Sequence, residues 1–190
     1  MSTRLTIMPL LPAEGRSGPQ LIGRKRLADD RGHFSRLFCA EELAEAGWTG
    51  PVAQVNHSVT GRAGTVRGLH LQRPPHAEMK LVSCIRGAVF DVAVDLRPGS
   101  PTRFTAVAAE LSAENGLAML VPEGFAHGFQ ALCDGCELIY LHSAGHSPGS
   151  EAGLRHDDPA LAIAWPLPVA LVSERDAGLP SVAALLAEAT

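Results

Sequence analysis

The stretch Met79-Lys80-Leu81-Val82-Ser83-Cys84-Ile85-Arg86-Gly87-Ala88-Val89-Phe90-Asp91-Val92-Ala93-Val94-Asp95-Leu96 decides the fold class. It holds two apolar, β-branched runs joined at Arg86-Gly87. Each run has the length of a strand and is short for a helix. Pro74-Pro75 breaks the chain before the first run, and Pro98-Gly99-Ser100-Pro101 turns it after the second. Working outward, the same pattern recurs at residues 52–58 and 67–72 upstream, and at 104–111, 117–121, 125–132 and 137–142 downstream. Short strands about ten residues apart, punctuated by Gly and Pro, indicate an all-β sandwich or barrel. The absence of βα alternation argues against a parallel nucleotide-binding sheet.

The flanks add little regular structure. Residues 1–28 read as an N-terminal arm with one or two strands, broken by Pro9, Pro12, Gly15, Gly18 and Pro19. Asp29-Asp30-Arg31-Gly32 turns into a short strand at 33–38, and residues 40–46 form a short helix stopped by Gly47. The tail, 153–190, is loop-like around Trp165 and ends in a helix at 181–189. No repeat or linker divides the chain, so residues 1–190 are expected to form a single domain.

Composition bounds the function. With 190 residues, 46% hydrophobic and 19% charged, the chain can build a sizeable core. A net charge of −4 gives no electrostatic case for nucleic acid. No apolar run reaches membrane-spanning length, and no secretory leader pattern is present, so a cytoplasmic protein is expected. Of the four cysteines, Cys133-Asp134-Gly135-Cys136 is a CxxC without a second one to complete a zinc site. It reads as two small residues flanking an Asp-Gly turn.

Chemistry gathers around Gly64-Thr65-Val66-Arg67-Gly68-Leu69-His70-Leu71-Gln72. Strand alternation puts Arg67, Leu69 and Leu71 on one face and Gly68, His70 and Gln72 on the other. A lone His70 would be a surface residue, but Lys80, His127, Tyr140 and Asp176 keep it company. The chain has only two lysines, Lys25 and Lys80, and one tyrosine, Tyr140. Lys80 reads either as a solvated strand-edge residue or as a cation for a developing oxyanion. Tyr140, within Leu138-Ile139-Tyr140-Leu141, reads either as a core tyrosine or as a general acid.

Pro122-Glu123-Gly124-Phe125-Ala126-His127 resembles the second motif of the cupin jelly rolls, in which the His can bind metal. The first motif offers His-x-His and a downstream Glu. Here the matching strand offers His70-Leu71-Gln72, with Lys80 downstream. An imidazole is missing and a cation has arrived, which disfavours a divalent metal. The resemblance therefore implies an all-β, cupin-type jelly roll with a few short helices and no metal.

A more specific resemblance covers residues from about 20 to 180. Asp30-Arg31-Gly32, Gln54-Val55-Asn56-His57-Ser58, Val66-Arg67-Gly68-Leu69-His70, Lys80-Leu81-Val82, Gly87–Asp95, Leu111–Asn115, Pro122–Phe129, Trp165-Pro166 and Ser173-Glu174-Arg175-Asp176 resemble, in order, the dTDP-4-dehydrorhamnose 3,5-epimerase family. That resemblance implies His70 as base, Asp176 as its carboxylate partner, Tyr140 as general acid and Lys80 as the enolate-stabilising cation. It implies Arg31 and Arg67 on the diphosphate of a dTDP-linked sugar, and Gln54, Asn56, His127, Glu151 and Arg175 at other substrate contacts. No cofactor is implied, and a homodimer is, through exchange of the N-terminal arm. Epimerisation at C3 and C5 is expected, with C3 alone as the alternative. A metal-dependent cupin using His70, His127 and His76, and a non-catalytic nucleotide-sugar binder, are the readings from other classes. Four positions depart from the family pattern: Arg36 stands for a Glu, Val55 for an Asp, and Gly145-His146 for a Tyr-Tyr pair.

Overall fold

The computed structural model describes residues 5–188. In chain order the strands are β1 (Leu5–Pro9), β2 (Gln20–Arg24), β3 (Arg26–Asp29), β4 (Gly32–Ser35), β5 (Gln54–Thr60), β6 (Val66–Gln72), β7 (Lys80–Arg86), β8 (Ala88–Asp95), β9 (Ala106–Ser112), β10 (Ala118–Val121), β11 (Phe125–Ala131), β12 (Cys136–His142) and β13 (Glu151–Gly153). Helix α1 (Ala40–Glu45) precedes β5, and α2 (Glu174–Ala177) and α3 (Val182–Glu188) lie in the tail. Six strands form one sheet in the order β1-β2-β10-β7-β12-β5, and five form a second in the order β13-β6-β11-β8-β9. The β3–β4 hairpin is a separate two-stranded sheet. This is the all-β sandwich expected from the strand series, of the cupin type that the resemblance implies. In the N-terminal arm β1 and β2 extend the larger sheet past β10, and a third strand, β3, begins at Arg26 and pairs with β4 across the Asp29–Gly32 turn. Residues 1–4 of the arm lie outside the described residues, as does Ala189 of the expected last helix.

Alternation along each strand sorts the side chains into three layers. Val82, Cys84, Val89, Ala93, Phe125 and Phe129 belong to the core between the sheets. Leu81, Leu120 and Ile22 lie on the far face of the six-stranded sheet, under Leu43 of α1 and under Ala46 and Trp48 just after it. Val92, Val94 and Ala126 lie on the far face of the five-stranded sheet, under Leu154, Leu161 and Val182 of the tail. A six-residue helix is marginal by itself. Helix α1 is held because Leu43 is fully buried, a burial that contributes about 1.5–3 kcal/mol.

The inter-sheet space changes character along its length. Inward residues run Cys84, Val82, Lys80 along β7 and Cys136, Leu138, Tyr140, His142 along β12. One end is therefore packed with apolar side chains and thiols, and the other is polar. At the packed end Cys133 and Cys136 flank the Asp134-Gly135 turn, as the sequence predicts, with Gly135 at φ 69° and the two Sγ atoms 3.3 Å apart. Among the described residues no helix is long and apolar enough to cross a membrane.

One expectation fails in a way that matters for the site. Alternation places Arg67 on the opposite face from His70, yet both line the same cavity. On β11, His127 pairs with His70 and Phe129 with Arg67. Two steps on β11 thus match three on β6, a bulge that returns Arg67 to the inner side. Gly68 makes this possible. Its φ is 112°, and a Cβ there would sit 2.6 Å from Gly128 Cα. Only glycine accepts both the positive φ and that approach.

Candidate active site

The polar end of the sandwich opens into a cavity of ≈ 1010 Å³. His70 and Arg67 enter from β6 and His127 from β11, all on the five-stranded sheet. Tyr140 and His142 enter from β12, Gln54 and Asn56 from β5, and Lys80 from β7, on the opposing sheet. The tail closes a further side. Leu171 bridges Thr65 in parallel and accepts the backbone N–H of Val66 at 2.9 Å, which carries α2 to the edge of β6. Ser173 caps α2 by accepting the Asp176 N–H at 3.1 Å.

That docking joins residues far apart in sequence. Asp176 Oδ1 lies 2.8 Å from His70 Nε2, and Asp176 Oδ2 accepts the Gly68 N–H at 2.9 Å. Burial alone would raise the Asp176 carboxyl, but the bonds from His70 and Gly68 outweigh it and hold its pKa at about 2. An ionised carboxylate only accepts, so His70 Nε2 carries the proton. The lone pair is then on Nδ1, the basic nitrogen that the dyad leaves available.

Tyr140 faces this dyad from the other sheet. Burial pushes its phenol up and outweighs the opposing Ser58 hydroxyl, while the smaller effects of the Asp91 carboxylate and of Arg67 act in opposite directions. The phenol stays protonated at neutral pH and is available as a proton donor. It is flanked by His127, edge-on at 6.0 Å between ring centroids, and by His142, stacked at 6.1 Å. His127 Nε2 is 2.8 Å from Asp91 Oδ1, and both side chains are buried.

Lys80 is a buried cation, not a solvated edge residue. Its side chain is 10% exposed, and its Nζ donates to the His70 carbonyl at 3.1 Å and pairs with Glu78 at 3.2 Å. At the rim, Glu151 Oε1 pairs with His146 Nε2 at 2.9 Å and with Arg175 at 3.2 Å. Arg67 donates to the Thr60 hydroxyl at 3.1 Å and to the Val59 carbonyl at 3.2 Å.

Ten of the eleven site residues expected from the sequence therefore line one cavity. Arg31 does not. It sits at the tip of the β3–β4 hairpin, 89% exposed and paired with Asp29, because that hairpin projects from the sandwich as its own sheet. Of the departures, Arg36 pairs with Glu42 of α1 at 3.1 Å. Val55 is 60% exposed on edge strand β5. Gly145 has open space where a side chain would stand. Glu78, His142 and Asp91 escaped the sequence reading. Asp91 had a visible signal, an acid inside the apolar run 88–96. His142 stands two residues from Tyr140 on the same side of β12 and could have been found by that spacing, whereas Glu78 lies in the loop just before β7, where alternation says nothing.

The geometry does not favour the metal-dependent alternative. Among the described residues no three His, Cys, Asp or Glu side chains gather as a metal site. His70 and His127 each face their own carboxylate, and His76 is exposed outside the cavity.

A family model described as dTDP-4-dehydrorhamnose 3,5-epimerase matches residues 17–184. The chain belongs to the dTDP-4-dehydrorhamnose 3,5-epimerase family. It is 44% identical over 171 residues to a dTDP-4-dehydrorhamnose 3,5-epimerase of Sinorhizobium fredii, covering 87% of this chain and 86% of the relative. It is 43% identical over 176 residues to a dTDP-4-dehydrorhamnose 3-epimerase of Streptomyces niveus, covering 92% and 83%. The sandwich superposes with a TM-score of 0.88 and 38% identity on the dTDP-6-deoxy-D-glucose-3,5-epimerase of Legionella pneumophila, solved with dTDP-4-keto-L-rhamnose, over 97% of this chain and 96% of that one.

Proposed function

We propose that the protein epimerises a dTDP-4-keto-6-deoxyhexose at C3 and C5, without a metal, in the synthesis of a rhamnose-type deoxysugar. The observation that supports this reading is that His70 and Tyr140 line one cavity from opposite sheets. His70, backed by Asp176, faces Tyr140 across it, with Lys80 beside them.

Each inversion needs two proton movements. His70 Nδ1 takes the proton from the carbon beside the ketone, and the C–H electrons move onto the ketone oxygen as an enolate. The Lys80 ammonium stabilises that oxygen. The phenol of Tyr140 then gives a proton to the same carbon from the other face, and the enolate electrons return to form the new C–H bond. The imidazolium loses its proton to solvent and the phenolate regains one, so the enzyme is unchanged over the cycle. Arg67 supplies forked N–H groups for the diphosphate. Gln54, Asn56, His127, Glu151 and Arg175 contact other parts of the ligand.

The reading includes a homodimer in the cytoplasm. Support for the dimer is two sets of exposed apolar side chains, Phe34 (64%) and Leu27 (41%) on the β3–β4 hairpin and Val55 (60%) and Val59 (53%) on the edge strand β5. A second copy covering these side chains would bring Arg31 to the diphosphate of the neighbouring cavity. Sedimentation as a monomer at micromolar concentration would contradict this part.

The deciding experiment is proton NMR of dTDP-4-keto-6-deoxyglucose with the enzyme in deuterated water. Deuterium at both C3 and C5 with a changed ring is expected. The 3-epimerase relative supports a second reading, inversion at C3 alone, which gives deuterium at C3 only. Deuterium at neither carbon would overturn both.

A further inference from the structure

A line of hydrogen bonds runs from the cavity rim to Lys80, and its direction can be assigned link by link. The His146 backbone N–H donates to Gln54 Oε1 at 3.0 Å. A backbone N–H can only donate, so the other end of that amide, Nε2, donates to Asn56 Oδ1 at 3.0 Å. Asn56 Nδ2 must then donate to His142 Nε2, 3.3 Å away. With Nε2 accepting, His142 carries its proton on Nδ1, which lies 2.8 Å from Glu78 Oε2. The other oxygen of Glu78 holds the Lys80 ammonium at 3.2 Å. Burial alone would raise the Glu78 carboxyl, but the bond from His142 and the charge of Lys80 outweigh it and lower its pKa. Glu78 is thus an anion with one partner on each oxygen.

The consequence falls on Lys80. Its ammonium has three N–H groups. One goes to the His70 carbonyl and one to Glu78, which leaves the third for a substrate oxygen. A lysine on a flexible stem does not hold that direction by itself. We propose that Glu78, oriented by His142, is the positioning residue that aims Lys80 at the enolate oxygen. This inference rests on the reading of Lys80 as the enolate-stabilising cation. It adds that the cation's direction is set by residues with no contact to the reacting carbons. The same line of bonds passes through Gln54 and Asn56, so a ligand held by those amides is coupled to the aim of Lys80.

The test separates aim from fold. In Glu78→Gln one oxygen becomes an NH2 group, which faces a donor from either His142 or Lys80. Steady-state turnover of dTDP-4-keto-6-deoxyglucose should then show kcat lower on the order of 10- to 100-fold, with KM and dTDP affinity little changed. Two substitutions at His142 divide its two bonds. His142→Asn places an amide NH2 near the Nδ1 position and keeps the donor to Glu78. His142→Gln places an amide near the Nε2 position and loses that donor. The inference requires kcat to fall further in His142→Gln than in His142→Asn, with melting temperatures that do not follow the same order. Glu78→Gln at native kcat, a defect confined to KM, or equal losses in the two His142 variants would overturn it. Lys80→Met separates the two levels. Native turnover in Lys80→Met removes the reading of Lys80 and this inference with it. A slow Lys80→Met beside a native-rate Glu78→Gln removes this inference alone.

Discussion

Replacing Asp176 by Asn tests the dyad at the level of a single proton. The side chain keeps its shape but has one acceptor where there were two. The Gly68 N–H, a fixed donor at 2.9 Å, requires that acceptor. The amide NH2 then faces His70 Nε2, which must accept, so the imidazole proton moves to Nδ1 and the basic lone pair is lost. Turning the amide over restores the tautomer but leaves the Gly68 N–H against another donor. An unsatisfied buried donor costs about 1–3 kcal/mol, so the productive orientation is about 5- to 150-fold less populated. That factor adds to the loss of the charge that stabilises the imidazolium. General-base assistance is worth roughly 10²–10⁴, so Asp176→Asn should lose between two and four decades in kcat, about 3–5 kcal/mol of barrier. The assay is deuterium entry at C3 and C5 against time, with thermal unfolding as a control for folding. A variant within about fivefold of the native rate would mean that the tautomer argument is wrong.

Other perturbations reach different parts of the same construction. Tyr140→Phe removes the acid but not the base, so deuterium should still enter the substrate by return to the face it left while ring inversion falls by roughly 10²–10⁴; inversion at the native rate would reassign the acid. Gly68→Ala forces a Cβ to within 2.6 Å of Gly128 Cα at φ 112°, which should cost about 2–5 kcal/mol through strain and overpacking together; a melting temperature equal to the native one would refute the close-approach account of the bulge. The Asp176 carboxyl is lowered from 3.8 to about 2, so its contribution of about 2 kcal/mol is fully present above pH 4 and is lost as pH falls through 2. Stability measured from pH 5 downward should be flatter in Asp176→Asn than in the native protein by that amount, and parallel curves would contradict it.

Much of this was legible because the strands are buried on both faces near the middle of each sheet. Such strands read as continuous apolar runs, which locate β7, β8 and β11 to within a residue or two. Exceptions inside those runs then mark the cavity, as Lys80, His127 and Tyr140 do. What stayed hidden depends on register and distance. The bulge at Gly68 reverses the face of Arg67, and alternation cannot anticipate an added residue in one strand of a pair. Helix α2 has four residues, too few for any periodic signal. Glu78 and His142 acquire meaning only when β12 lies beside β7, with His142 opposite Lys80.

The two-sheet architecture itself suits a reaction that moves protons across the two faces of one ring. A base and an acid on one strand face would reach a bound sugar from the same side, and return of a proton there would restore the starting configuration. Here His70 belongs to the five-stranded sheet and Tyr140 to the six-stranded sheet. The apolar packing of Val82, Leu138 and Phe129 below them sets the separation of the sheets. Stability and stereochemistry are therefore linked through the same core. A large-to-small change such as Phe129→Ala would cost about 3–5 kcal/mol in stability, and it would also let the sheets approach. The approach should be read in the product, as more deuterium exchange with retention per inversion. Loss of stability with an unchanged ratio of retention to inversion would show that the ring is held by its own contacts, independently of the spacing between the sheets.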